Sequence, residues 1–93
     1  MKLLWTLEAL QDRRDVRERI AKDNPTAALA LDEMFSQKAQ KLVHYPAIGR
    51  TGRVAGTRKL IVHRNYILIY DAAGDAVRIL RVLHARRQWP QQK

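Results

Sequence analysis

Apolar and polar positions follow several distinct rhythms along this 93-residue chain. Lys2-Leu3-Leu4-Trp5-Thr6-Leu7 is a short apolar run that ends in charge, the mark of a short β-strand. From Glu8 to Lys22 the apolar positions are sparse, with Leu10, Val16, Ile20 and Ala21 the main ones. Asp12, Arg13, Arg14, Asp15, Arg17, Glu18 and Arg19 fill the rest, with opposite charges three and four residues apart. That pattern predicts a solvated surface helix. Asp23-Asn24-Pro25-Thr26 breaks it and starts another. Asn24 can cap the new helix, and Pro25 suits its first turn, where an N–H needs no partner. The second helix is predicted over Pro25 to Leu42, because Ala28, Leu31, Phe35, Ala39 and Leu42 recur at spacings of three and four. So short a break makes the pair a helical hairpin.

After Leu42 the period changes. Val43 to Gly52 reads as a loop punctuated by Pro46, Gly49 and Gly52. Three strands are predicted next, over Arg58–His63, Tyr66–Tyr70 and Ala76–Leu83. Arg64-Asn65 supplies a two-residue turn. Asp71 to Asp75 supplies a second, with Gly74 free to take a positive φ. Arg78 and Arg81 lie three apart and point to opposite faces of a regular strand. One of them therefore needs an edge, a bulge or a charged partner. The order is β-α-α-β-β-β. It implies an α+β fold: an N-terminal strand and an α-helical hairpin packed on a small antiparallel β-sheet. The other sheet face is expected to be wet and to carry arginine. Residues 1–93 read as a single domain, since a chain this short buries only about 60–65% of its unfolded surface.

Charge sharpens this picture. The net charge is +9, and residues 1–43 carry 8 basic and 7 acidic side chains. Residues 44–93 carry 10 basic and 2 acidic side chains, so the C-terminal half is the cationic surface. Such a balance favours an anionic partner. With 46% hydrophobic residues the chain has enough apolar surface to fold and is not a disordered basic tail. The absence of cysteine excludes disulfides, thiolate metal sites and thiol nucleophiles. No run of apolar residues reaches a membrane span, and Met1–Leu7 lacks the form of a signal peptide. The expected setting is cytoplasmic, with no membrane partner.

Candidate chemistry is confined to a few side chains. His44, His63 and His84 have no metal-ligand spacing, so no metal and no other cofactor is expected. Gly49 to Gly56 is glycine-rich and carries Arg50 and Arg53, which could present N–H and guanidinium groups to an anion. Paired carboxylates are missing from the cationic half, where Asp71 and Asp75 flank a turn. Metal-free cleavage of RNA needs a base, an acid and cations for the phosphorane. His63, Tyr66, His84, Arg86 and Arg87 are of the right types. Tyr66 and Tyr70 share one strand face. Trp89 in the basic tail could stack on a base or anchor the tail.

The order of several short segments resembles a known family. They are Leu4-Trp5-Thr6 ahead of Glu8-Ala9-Leu10, the Asp23-Asn24-Pro25 break, His44 to Arg50, Gly56-Thr57-Arg58, His63 to Tyr70, and Val77 to Pro90. Together they resemble the RelE/ParE toxins of bacterial type II toxin–antitoxin modules over essentially the whole chain. The resemblance implies a helical hairpin on an antiparallel sheet and a cognate antitoxin that wraps the toxin with an extended segment, which a +9 toxin expects to be acidic.

It also implies one of two activities. ParE-like members bind DNA gyrase, and RelE-like members cleave messenger RNA at the ribosome. RelE-like nucleases carry an arginine after the aromatic that opens the middle strand. Here Tyr66 is followed by Ile67, which favours the ParE-like reading. For the nuclease alternative the catalytic residues would be His84, Tyr66 and Arg86. For target or phosphate binding the expected residues are Arg50, Arg53, Arg58, Lys59, Arg81, Arg87 and Trp89. A plain basic nucleic-acid-binding module is the third reading.

Overall fold

The computed structural model of the protein describes residues 1–87, 89 and 90. The elements are β1 (Lys2–Trp5), α1 (Leu7–Ala21), α2 (Pro25–His44), β2 (Arg50–Thr51), β3 (Thr57–His63), β4 (Tyr66–Ala73) and β5 (Ala76–His84). They form a five-stranded sheet in the order β1-β5-β4-β3-β2, with the helices on one face. The expected order of elements is all present, with one added strand and one correction to the expected antiparallel sheet. A two-residue strand, β2, lies in the segment read as loop, and β1 runs parallel to β5, so the sheet is mixed. The long connection that a parallel pair requires runs through both helices and the three antiparallel strands β2, β3 and β4.

Element ends follow local chemistry. β1 stops at Trp5 because Thr6 caps α1, its Oγ1 accepting from the Ala9 N–H at 3.0 Å. Asn24 caps α2 in the same way, with Pro25 in the first turn. β4 extends to Ala73, so the second turn is only Gly74-Asp75, with Gly74 at φ +61°. The tail beyond His84 is described through Arg87 and at Trp89 and Pro90; Gln88 and Gln91 to Lys93 lie outside the described residues.

The core fills the space between the hairpin and one sheet face. Leu31, Phe35, Ala39 and Leu42 of α2 and Ala9 and Val16 of α1 meet Tyr66, Leu68 and Tyr70 of β4 and Val77, Ile79 and Val82 of β5. The α2 stripe read from spacing is the buried stripe. Phe35 meets Tyr66 edge to face at 5.9 Å.

The arginine conflict on β5 is resolved by a bulge and two partners. The register passes from Ile69↔Arg81 to Tyr70↔Ile79, leaving Leu80 as the extra residue. Arg78 pairs with Asp71 on the neighbouring strand. Arg81 reaches α1, where Asp12 accepts from its Nε at 2.7 Å and also from the Val82 N–H at 2.9 Å.

Candidate functional site

The sheet face away from the helices is where the cations gather. β4 is apolar on both faces: Tyr66, Leu68 and Tyr70 enter the core, while Ile67 and Ile69 point the other way. The same alternation on β3 sends Lys59 and Ile61 to that outer face, beside Ile67 and Ile69 in the ladder. These four make the floor of two adjoining hollows of about 420 and 450 Å³, which share Lys59, Ile67 and Ala85. The first is walled by Ile48, Gly49 and Arg50 ahead of β3 and by Arg64 in the β3–β4 turn. The second is walled by Arg53, Arg86, Arg87 and Trp89. Together they form a groove with an apolar floor and a cationic rim. Ile61 is 57% exposed and Ile48 45% exposed, so the apolar surface of the first hollow is open to a partner, while Ile69 beneath the second is buried. Among the described residues, no carboxylate lines either hollow.

Backbone contacts set the walls. The Ala85 N–H donates to the Asn65 carbonyl at 2.7 Å, and the Arg86 N–H to His84 Nδ1 at 3.2 Å. The Arg87 N–H donates to the His84 carbonyl at 2.9 Å. Those bonds turn the chain after β5, and the residues beyond line the second hollow. On the opposite wall, the Tyr70 hydroxyl donates to the Pro46 carbonyl at 2.8 Å and accepts from the Gly49 N–H at 2.9 Å. The Arg58 guanidinium donates to the Gly49 carbonyl at 2.8 Å and to that of Ala47 at 3.3 Å. A Cβ at Gly49 would lie 2.6 Å from the Tyr70 hydroxyl and 2.8 Å from the Lys59 carbonyl oxygen, so no side chain fits there.

The fold brings together Arg50, Arg53, Lys59, Arg87 and Trp89, five of the seven residues expected to bind a target or phosphate, and adds Arg86. Arg58 and Arg81 stand elsewhere. Arg58 is spent on loop carbonyls, and Arg81 is held by Asp12, whose hydrogen bond raises the guanidinium pKa against the opposing effect of burial. His84 and Tyr66 are together but on the helical side. Their rings meet at 5.4 Å, Tyr66 also packs on Phe35, and His84 lines a small hollow with Asp12, Asp15, Val16, Arg19, Val82 and Arg87, the last of which also lines the second hollow. The Tyr66 ring is buried between Phe35 and His84. His63 hydrogen-bonds locally, its Nδ1 accepting from the Asn65 N–H. Among the described residues, no cluster of three His, Asp or Glu could hold a metal ion.

Residue-by-residue reasoning missed Arg64 and the isoleucine floor. A signal for the floor was there. Tyr-Ile-Leu-Ile-Tyr is apolar on both strand faces, and an α+β sheet with helices on one side can bury only one of them in its core.

Comparison with known proteins gives consistent matches. A family model described as the ParE toxin of the type II toxin–antitoxin system parDE matches residues 3–89. The Sinorhizobium fredii protein Y4kP, which carries a toxin designation, is 40% identical over 97% of this chain and 94% of its own. Toxin RelE2 of Caulobacter vibrioides is 34% identical over 91% of this chain and 96% of its own. A structure of the chromosomal ParDE system of P. aeruginosa superposes with a TM-score of 0.81 at 25% identity, over 90% of this chain and 95% of that one. The YoeB/ParE toxin from Agrobacterium tumefaciens shares the fold, with a TM-score of 0.68 at 16% identity over 90% and 98% of the two chains.

Proposed function

The chain belongs to the ParE toxin family and is the toxin of a ParDE-type toxin–antitoxin system, and from that premise we propose that it arrests growth by binding DNA gyrase through the groove on the outer sheet face. Membership implies an antitoxin partner. An acidic, extended antitoxin segment suits the cationic rim and would neutralise the toxin by wrapping it. Action on gyrase puts the site of action in the cytoplasm; among the described residues no helix is long and apolar enough to cross a membrane.

One observation carries the choice of binding over cleavage. His84 and Tyr66, the side chains that proton transfer would use, face the helical layer. The groove offers guanidinium and ammonium groups over isoleucine. Cations and an apolar floor hold a partner surface. They supply no group that titrates near neutrality to move a proton. On this reading Arg50, Arg53, Lys59, Arg86 and Arg87 meet acidic groups of the target, and Trp89 covers the end of the contact.

Induction without antitoxin, with pulse-labelled DNA and protein synthesis followed side by side, tests the proposal. DNA synthesis is expected to stop first, and purified gyrase should lose supercoiling activity when the toxin is added. Early arrest of translation with new cuts within codons would refute it and favour messenger RNA cleavage.

A further inference from the structure

We propose that Tyr70 and Arg58 form a positioning clamp that fixes Ile48 and Arg50 in the groove wall, so that toxicity depends on a buried hydroxyl that touches no partner. The inference rests on the reading that the groove is the target contact. The two residues are direct cross-strand partners, Arg58 on β3 opposite Tyr70 on β4. Neither side chain lines the hollows. Between them they hold four backbone groups in a run of four residues: the carbonyls of Pro46, Ala47 and Gly49 and the Gly49 N–H.

Elsewhere this wall is held by a short pairing. β2 is two residues long and pairs through Arg50↔Lys59 and Thr51↔Arg58, extended by the Gly52 N–H, which donates to the Thr57 carbonyl at 2.8 Å. A pairing so short does not stand alone. The loop ahead of it contributes one backbone bond of its own, from the Ile48 N–H to the Tyr45 carbonyl at 3.3 Å. A fully buried phenol at position 70 is chemically unnecessary for packing, since phenylalanine would fill the same space without a hydroxyl to satisfy. Here the hydroxyl is used twice, and Gly49 lies against it with no room for a Cβ. The arrangement transmits the rigidity of the core to Arg50 across the residue that precedes it.

The test compares Tyr70→Phe, Arg50→Ala and the double variant by the inducer dose needed for growth arrest, normalised to soluble toxin. Because Tyr70→Phe loses both bonds, potency is expected to fall about tenfold or more. The double variant is expected to lose less than the two single losses added together, because with Arg50 gone the clamp has only Ile48 left to position. Amide hydrogen exchange at Gly49 and Arg50 should quicken, while that of Leu68 stays unchanged. A purely structural role would add its defect to Arg50→Ala and speed exchange throughout. Parent-like potency of Tyr70→Phe, or additive losses, would overturn the clamp. If Arg50→Ala is impaired and Tyr70→Phe is not, the groove reading stands and the clamp alone fails. If Arg50→Ala is fully potent, the groove reading fails and takes the clamp with it. Should Tyr70→Phe accumulate in insoluble form, Arg58→Gln, which keeps the aromatic core, is judged by the same outcomes.

Discussion

Burial pushes the Tyr70 hydroxyl above its ordinary pKa of 10.0, while the Gly49 N–H and the Arg58 charge pull it down. The net rise means the folded protein prefers the neutral phenol, which can still donate to Pro46. This contribution to stability is fully present below the unfolded tyrosine value and is lost as pH rises through the higher folded one. The parent is therefore expected to lose stability above pH of about 10 more steeply than Tyr70→Phe, which has no proton to lose. Denaturation midpoints of both proteins in urea across the alkaline range measure the difference; parallel curves would show that Tyr70 does not titrate with unfolding. Arg78 shows the contrast at the surface. The Asp71 hydrogen bond raises its pKa, but the pair is exposed and of little consequence for stability.

At the scale of elements, single side chains tie layers together. Asp12 joins α1 to β5 through Arg81 and the Val82 N–H, beside the bulge that gives Arg81 its direction. Arg13 joins α1 to α2 through a fork on Asp32 and lies 4.5 Å over the Trp5 ring of β1. Asp12→Ala would leave a partly buried guanidinium and a backbone N–H without their acceptor. That loss is expected to cost about 2–3 kcal/mol, read as a lower urea midpoint with an unchanged slope. A shift under about 0.5 kcal/mol would mean that water replaces the carboxylate at little cost. By contrast the predicted ends of the strands moved by a few residues, because caps and turns decide them. Thr6 ended β1 early, and the tight Gly74-Asp75 turn let β4 run on to Ala73.

Over the whole molecule, the charge asymmetry acquires a direction. The described basic residues of the C-terminal half are divided between partners inside the fold and the open groove: Arg58, Arg78 and Arg81 are occupied, while Arg50, Arg53, Lys59, Arg64, Arg86 and Arg87 line the hollows. A rim of one sign should steer an acidic partner. The association rate of the toxin with its antitoxin is expected to fall about tenfold between roughly 0.05 and 0.5 M salt, with a smaller change in dissociation. Stopped-flow mixing measures it, and a flat salt profile would show that the rim does not guide encounter.

Local physics was enough for much of this. The α2 stripe, the Asn24-Pro25 restart, the Gly74 turn and the concentration of charge after residue 43 are all short-range or compositional. They determined the element order, and the Asn24-Pro25 restart also carried part of the family resemblance. The need for Arg78 and Arg81 to find partners was also legible, since strand alternation forbids two free arginines three apart on a covered sheet. The identity of those partners was not. Asp12 lies 69 residues before Arg81, and only the packing of α1 on β5 brings them together. In the same way, nothing along the chain separates Arg58 from Arg50 or His84 from Arg86. Their roles are decided by which face of the sheet each side chain leaves from, and by the bulge and the turn after β5. Charge and period are properties of sequence, whereas the choice between a cation that holds the fold and one that meets a partner belongs to the tertiary structure.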